Sequence, residues 1–109
     1  MEAVIHLQRL GMNEYESKCL AEVMTHDQRT ALEISEAASV PYTKIYQVLD
    51  SLEKQGHIVA SLERPKRYSS SGAEGVLQGI LAKKTDELKR LRKISREAIK
   101  QINVQRQTA

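Results

Sequence analysis

The strongest constraint on the fold lies between Thr30 and Gly56, where helix start and stop signals follow one another closely. Thr30 and Glu33 have the spacing of a capping box, which predicts a short helix that begins there. Pro41 suits the first turn of a second helix, because the N–H that proline lacks would be unpaired in that position anyway. Gly56 is a stop signal for this second helix. A short helix, a tight turn and an amphipathic helix together predict a helix-turn-helix.

The second helix of this motif separates apolar from polar side chains. Its apolar stripe consists of Ile45, Val48, Leu49 and Leu52. In a helix-turn-helix, the N-terminal part of this helix enters the major groove of DNA. Lysine can bind guanine or phosphate there, and glutamine can bind adenine. The candidate DNA-binding residues on this helix are Tyr42, Thr43, Lys44 and Gln47.

Two alternatives stay open for these side chains. A polar helix face is also typical of an ordinary solvated surface. The two tyrosines of this helix can either meet phosphate through their hydroxyls or close the edge of the core. For Tyr46 we expect packing.

The pattern after Gly56 changes from helical to β-like. Residues 58–62 and 66–69 are short runs with β preference, separated by a turn that contains Pro65, which predicts a hairpin and hence a winged helix-turn-helix. The turn carries the cations Arg64, Lys66 and Arg67. In a winged helix such cations lie over the minor groove or the backbone, where they displace counterions. The alternative is a charged edge that discourages strand-to-strand aggregation.

Two helices precede this motif and one long helix follows it. Residues 1–10 have helical apolar spacing, and Asn13 with Glu16 forms another capping box. Ser71 and Glu74 form a third, which predicts a helix of about 30 residues with no proline. The expected fold is mainly α with a small β-hairpin: a winged helix-turn-helix over residues 1–71 and a long basic C-terminal helix over residues 72–109.

The long helix has a coiled-coil pattern with two polar interruptions. Its seam positions are Leu77, Leu81, Leu88, Leu91, Ala98 and Ile102. Such a seam predicts homodimerisation through this helix. The alternative is an intrachain helix that lies across its own domain.

Charge is distributed unevenly along the chain of 109 residues. Residues 1–75 carry eight basic and eleven acidic side chains, whereas residues 76–109 carry nine basic and three acidic ones. This asymmetry favours a nucleic acid or another acidic partner. Whether the basic helix itself touches DNA is left open, since a run of charge is usually a solvated face. A membrane-surface helix is disfavoured because Trp and Phe anchors are missing.

The residues do not favour an enzyme. His6, His26 and His57 are scattered, with no metal-ligand spacing and no glycine-rich phosphate loop nearby. The lone Cys19 excludes an internal disulfide and is expected to be a buried thiol. No run is apolar enough to span a membrane. We therefore expect a cytoplasmic, nucleoid-associated protein without metal or cofactor.

Three segments carry a family resemblance. Residues 10–18 (LGMNEYESK) resemble the LGLTEYEAK opening of the TrmB-like family of largely archaeal transcriptional regulators. Residues 33–56 (EISEAASVPYTKIYQVLDSLEKQG) are similar to that family's EIAELSGVPRSKVYEVLRSLEEKG, and residues 64–68 (RPKRY) to its KPKRY wing. The resemblance covers about residues 7–70 and implies a winged helix-turn-helix that binds duplex DNA as a dimer.

Two features depart from the family pattern. Tyr42 stands where the family often has arginine, which bears on one phosphate or base contact. The chain ends soon after its long helix, so the effector domain of the sugar-responsive members is expected to be absent, and whether a small-molecule effector exists is left open. The sequence predicts a dimeric, sequence-specific regulator of transcription. The alternatives are a weakly specific, chromatin-like DNA-binding protein and a winged helix that binds other proteins.

Overall fold

The structure, a computed structural model, describes residues 2–108 of the chain. Its helices are α1 (Glu2–Arg9), α2 (Glu14–Thr25), α3 (Ala31–Ala38), α4 (Tyr42–Lys54) and α5 (Ala73–Thr108), and its strands are β1 (Arg29–Thr30), β2 (Val59–Ala60) and β3 (Arg67–Ser69). The chain forms two compact units, Met1–Val76 and Leu77–Ala109. The predicted winged helix-turn-helix followed by a long helix is confirmed.

The first two predicted capping boxes form. The backbone N–H of Glu16 donates to Asn13 Oδ1 at 2.8 Å, and Asn13 N–H donates back to Glu16 Oε1 at 3.2 Å. Thr30 and Glu33 make the same reciprocal pair at the start of α3. These bonds satisfy N–H groups that a helix start leaves without intrahelical partners, and they fix where α2 and α3 begin.

The turn between α3 and α4 is held by its own backbone. Ser39 adopts the left-handed conformation, with φ 56° and ψ 43°, and directs the chain away from the α3 axis. Val40 N–H then donates to the Ser35 carbonyl at 3.0 Å, and the Ser35 hydroxyl donates to the Val40 carbonyl. With both polar groups of Val40 paired, its side chain can be buried at 2% exposure. The turn thus sets the direction in which α4 leaves.

The core of the first unit is built from one face of each helix and from the sheet. Ile45, Leu49 and Leu52 of α4 are fully buried, as the periodicity predicts. The core also contains Leu7, Cys19, Leu20, Val23, Ile34, Val40, Ile58 and Tyr68. Because α4 contributes a complete apolar stripe, its opposite face is free to carry polar side chains.

The sheet has three antiparallel strands in the order β1-β3-β2. The predicted hairpin is β2 with β3, in which Ala60 lies opposite Tyr68. Strand β1, which the sequence did not predict, pairs with the other edge of β3, so that Arg29 also lies opposite Tyr68. Tyr68 sits on the central strand and is 2% exposed.

Helix α5 begins one residue later than the predicted range 72–109. It spans 36 residues and starts at Ala73. Gly72, not Ser71, precedes its first residue, and the Gly72 carbonyl accepts from Val76 N–H at 3.0 Å. The third predicted capping box, at Ser71, is therefore wrong by position, because the left-handed φ of 95° at Gly72 lets the chain turn one residue later. Among the described residues, no helix is both long and apolar enough to cross a membrane.

Candidate nucleic-acid interface

Helix α4 presents its predicted DNA-binding residues to solvent. Tyr42, Thr43, Lys44 and Gln47 are all exposed. They occupy the first two turns of the helix, opposite the buried stripe. The N-terminal half of α4 can therefore approach a groove without any rearrangement of the core.

The two tyrosines of α4 interact with each other. The ring centroids of Tyr42 and Tyr46 lie 5.7 Å apart at an interplanar angle of 76°, an edge-to-face pair. Their hydroxyls are hydrogen-bonded at 3.1 Å, which raises the pKa of Tyr42. Both side chains are 50% exposed. Tyr46 therefore packs, as expected, and its partner in this pair is Tyr42, one turn away at the surface.

Glu16 of α2 holds the other end of α4. Its Oε2 accepts from Ser51 Oγ at 2.9 Å and from Gln55 Nε2 at 2.8 Å. Partial burial by itself would raise the pKa of Glu16, but the hydrogen bonds from Gln55 and Ser51 outweigh burial and hold the pKa below its ordinary value. The C-terminal half of α4 is thereby tied to the start of α2.

All three predicted cations of the wing are exposed, and two of them lie in its loop. Arg64 and Lys66 lie in the loop between β2 and β3, are exposed, and form no ion pair with any residue in the described part of the chain. Across the base of the loop, Ser61 N–H donates to the Arg67 carbonyl at 2.8 Å, and Arg67 N–H donates to Ser61 Oγ at 2.9 Å. The loop is thus a closed hairpin end with a cationic tip.

Arg67 lies along the surface of the sheet, with its side chain 43% exposed. Its Nη1 donates to the Gln28 carbonyl at 2.7 Å and lies 3.8 Å from Glu33 Oε1. The pKa of Glu33 is lowered chiefly by its hydrogen bonds with Thr30 and to a smaller extent by the charge of Arg67. Arg67, predicted to bind DNA, therefore already has partners within the protein, where it braces β1 against β3.

The predicted residues fall into two clefts. A cleft of about 590 Å³ lies between α4 and the wing and is lined by Tyr42 and Tyr46 together with Arg64 and Lys66. A second cleft, of about 430 Å³, brings Lys44 and Gln47 against the start of α2. The structure thus joins Tyr42 to the wing cations and separates both from Lys44 and Gln47.

The wing-side cleft also contains a residue that the sequence did not single out. Asp50 lines it together with Leu32, Pro65 and Tyr68. A carboxylate there repels phosphate but can accept a hydrogen bond from the amino group of cytosine. Its helical spacing from Tyr42 and Tyr46, at i+8 and i+4, is the signal that could have placed it on this side of α4.

The predicted seam of α5 is half exposed in the single chain. Leu81, Leu88, Leu91 and Ile102 expose 47–59% of their surface, Ala98 is exposed, and Leu77 is partly buried. Ile94 and Ile99, which widen the apolar face, are 51% and 54% exposed.

The Cys19 thiol and the side chains that could ligate a metal are placed unfavourably for reaction or for metal binding. Burial raises the pKa of the Cys19 thiol to about 12, so that it is an unreactive core side chain, as expected from its place on the apolar stripe. Within residues 2–108, no cluster of His, Cys, Asp and Glu could hold a metal ion.

Comparison with known proteins identifies a family of transcriptional regulators. Residues 7–74 match the family described as sugar-specific transcriptional regulator TrmB. The HTH-type sugar sensing transcriptional regulator TrmBL1 of Pyrococcus furiosus is 26% identical over 102 residues. That match covers 94% of this chain but 30% of the relative, so the chain spans less than a third of that protein's length.

Two solved structures share the fold. TrmBL2, described as an archaeal chromatin protein with a novel mode of DNA binding, superposes with a TM-score of 0.85 at 22% identity and covers 93% of this chain and 39% of its own. A MarR-like transcriptional regulator from Thermotoga maritima superposes with a TM-score of 0.55 at 23% identity, over 79% of this chain and 64% of its own. At these identities the likeness concerns the winged-helix architecture.

Proposed function

The chain belongs to the TrmB family of sugar-specific transcriptional regulators, and we propose that it is a dimeric, sequence-specific, double-stranded-DNA-binding regulator located at the nucleoid. The observation that carries this proposal is the division of α4. Its apolar stripe is buried in the core, while Tyr42, Thr43, Lys44 and Gln47 are exposed, and Tyr42 shares a cleft with the cationic wing.

The polar side chains of α4 and the exposed cations have different roles in the proposed complex. Gln47 and Thr43 carry donors and acceptors that read base edges, with glutamine suited to adenine. Lys44, Arg64 and Lys66 neutralise phosphates and release counterions, which supplies most of the affinity. Because Arg64 and Lys66 are exposed on the wing, the backbone of one DNA strand would contact them there.

We propose that α5 forms the dimer. Its half-exposed seam is Leu77, Leu81, Leu88, Leu91, Ala98 and Ile102. A second copy would remove this apolar surface from water, which is favourable. Two recognition helices held in this way would enter successive major grooves, so operators would be pseudo-palindromic, with half-sites about one helical turn apart.

Fluorescence anisotropy on random duplex DNA, at about 50 and 200 mM salt, tests the DNA-binding surface. Each phosphate contact contributes about −0.9 to the slope of log affinity against log salt. Lys66→Gln is expected to weaken binding and to reduce that slope by about 1. The matched control is Lys54→Gln, which removes one exposed cation from the far end of α4. No salt-sensitive binding at all would instead favour a winged helix that binds other proteins.

Gln47→Ala separates sequence-specific from weakly specific binding. On an operator selected from random duplexes, the loss of one base contact is expected to cost about 1–3 kcal/mol. On unselected duplexes the same variant is expected to bind like the unmodified protein. Equal behaviour on both kinds of DNA would identify a chromatin-like protein that reads shape and charge alone.

A further inference from the structure

Helix α5 sorts its side chains into two faces. At 3.6 residues per turn, its leucines and isoleucines fall within an arc of about 140°. From Leu77 onward, a second arc, of about 100°, holds five cations and no acidic residue. These five, the basic stripe, are Lys89, Arg92, Lys93, Arg96 and Lys100. The two arcs do not overlap, so a partner helix on the apolar face would leave the basic stripe in solvent.

The cations of the basic stripe and Arg90, another cation of α5, differ in their ion-pair partners. Arg90, which lies outside the basic stripe, makes a bidentate salt bridge with Glu87. Lys100, at the end of the stripe, has Glu97 3.7 Å away. The four others, Lys89, Arg92, Lys93 and Arg96, make no ion pair with any residue between positions 2 and 108.

The stripe repels itself. Arg92 and Arg96 stand four residues apart, as do Lys89 and Lys93, and Arg96 and Lys100. Like charges at this spacing face one another on a helix and destabilise it. The exposed helix thus carries an electrostatic cost that a bound polyanion relieves.

We propose that the basic stripe binds the phosphate backbone of duplex DNA, as a second DNA surface separate from α4 and the wing. The stripe extends about 16 Å, and duplex DNA carries one negative charge per about 1.7 Å of its axis. The choice of DNA as the polyanion rests on the proposed function. In a dimer paired through the apolar face, each copy contributes one stripe.

The arrangement fits DNA better than a lipid surface. A helix that lies on a membrane buries its apolar face in the lipid and is anchored there by Trp or Phe, and this chain contains neither residue. The cations here lie away from the apolar face, which is the face that the seam predicts to be covered by a second copy.

The chain offers a matched pair of variants. Lys89→Gln with Arg96→Gln removes two charges from the stripe, and Lys83→Gln with Arg90→Gln removes two from outside it. Both pairs combine one lysine and one arginine seven residues apart on α5, and they differ by about a third of a turn around the helix. Glutamine keeps nearly the same helix propensity as lysine and arginine.

Salt titration by anisotropy on a duplex of about 30 base pairs, with the full chain, measures the effect. The stripe variant is expected to reduce the salt slope by about 2 and to weaken binding roughly tenfold or more at 0.1 M salt. The control pair is expected to change the slope by less than half as much. Sedimentation at the same protein concentration shows whether both variants keep the assembly state of the unmodified protein.

Each other outcome has a definite meaning. Equal changes in the two variants, or none in the stripe variant while Lys66→Gln weakens binding, would overturn the stripe proposal and leave the proposed function standing. Loss in the stripe variant, while Lys66→Gln binds this duplex normally and Gln47→Ala binds the selected operator normally, would overturn the proposed function and keep the stripe. Stripe-dependent binding to anionic vesicles, with unchanged binding to DNA, would assign the stripe to a lipid surface and overturn the proposal.

Discussion

Gln55, at the end of α4, donates a hydrogen bond of 2.8 Å from its Nε2 to Oε2 of Glu16, in the first turn of α2. The other carboxylate oxygen of Glu16 accepts from the backbone N–H of Asn13, within the capping box. One side chain therefore both starts α2 and fixes α4 against it. Since α4 carries the proposed recognition residues, Glu16 is a positioning residue for the DNA surface.

Replacing Glu16 by alanine is expected to lower the free energy of unfolding by about 1–2 kcal/mol. The variant loses half of a capping box and leaves Ser51 and Gln55 without their shared acceptor. Urea unfolding measures the change. Glu14→Ala is the control, because its exposed pair with Lys18 should contribute no more than about 0.5 kcal/mol. Equal losses in both variants would contradict the role given to Glu16.

The contribution of Glu16 should also depend on pH. Its pKa in the folded protein is lower than the ordinary value of 4.5, so the folded state favours the carboxylate. Its stabilisation is therefore complete above the unfolded pKa and is lost as the pH falls through the folded pKa. Urea unfolding of the protein and of Glu16→Gln, at several values from about pH 7 to pH 3, should give stabilities that converge in acid. A constant difference at every pH would show that the ionised form has no special part.

Substitutions of Arg67 and Lys66, which are neighbours in sequence, are expected to have different effects. Arg67→Ala removes the bond to the Gln28 carbonyl at 2.7 Å and should lower stability by about 1 kcal/mol. Lys66→Gln should leave stability within about 0.5 kcal/mol of the unmodified protein and weaken DNA binding. Thermal unfolding and anisotropy of both variants separate the two effects. If Arg67→Ala lost DNA affinity with no loss of stability, the bracing role would be wrong.

A polar residue in the α5 seam is expected to dissociate the dimer. Leu88→Gln places an amide in the proposed interface, which costs free energy unless the amide finds a partner there. Val104→Gln is matched to it, because Leu88 and Val104 are 49% and 53% exposed and Val104 lies outside the seam. Sedimentation equilibrium should show a higher dissociation constant for Leu88→Gln alone. Unchanged association in both variants would place the dimer interface elsewhere.

The sequence by itself determined those parts of the protein that depend on short-range order. The capping boxes at Asn13 and Thr30 are hydrogen bonds across three residues, and the buried stripe of α4 follows from a period of 3.6. Such features can be predicted from the sequence because every group involved lies within a turn or two of its partner. The same periodicity identified the exposed face of α4, including Lys44 and Gln47, and the buried place of Cys19.

Only the tertiary structure decided what depends on residues that are distant in sequence. Strand β1 has two residues, too few for any period, and exists because β3 offers it an edge. The direction of Arg67 follows from the nearness of Gln28, 39 positions away, and the tie between Gln55 and Glu16 spans the same separation. The charge pattern of the sequence grouped Arg67 with Arg64 and Lys66, whereas the fold gives Arg67 partners within the protein. A side chain's type limits what it can bind, but the partner that it meets is set by how the whole chain folds.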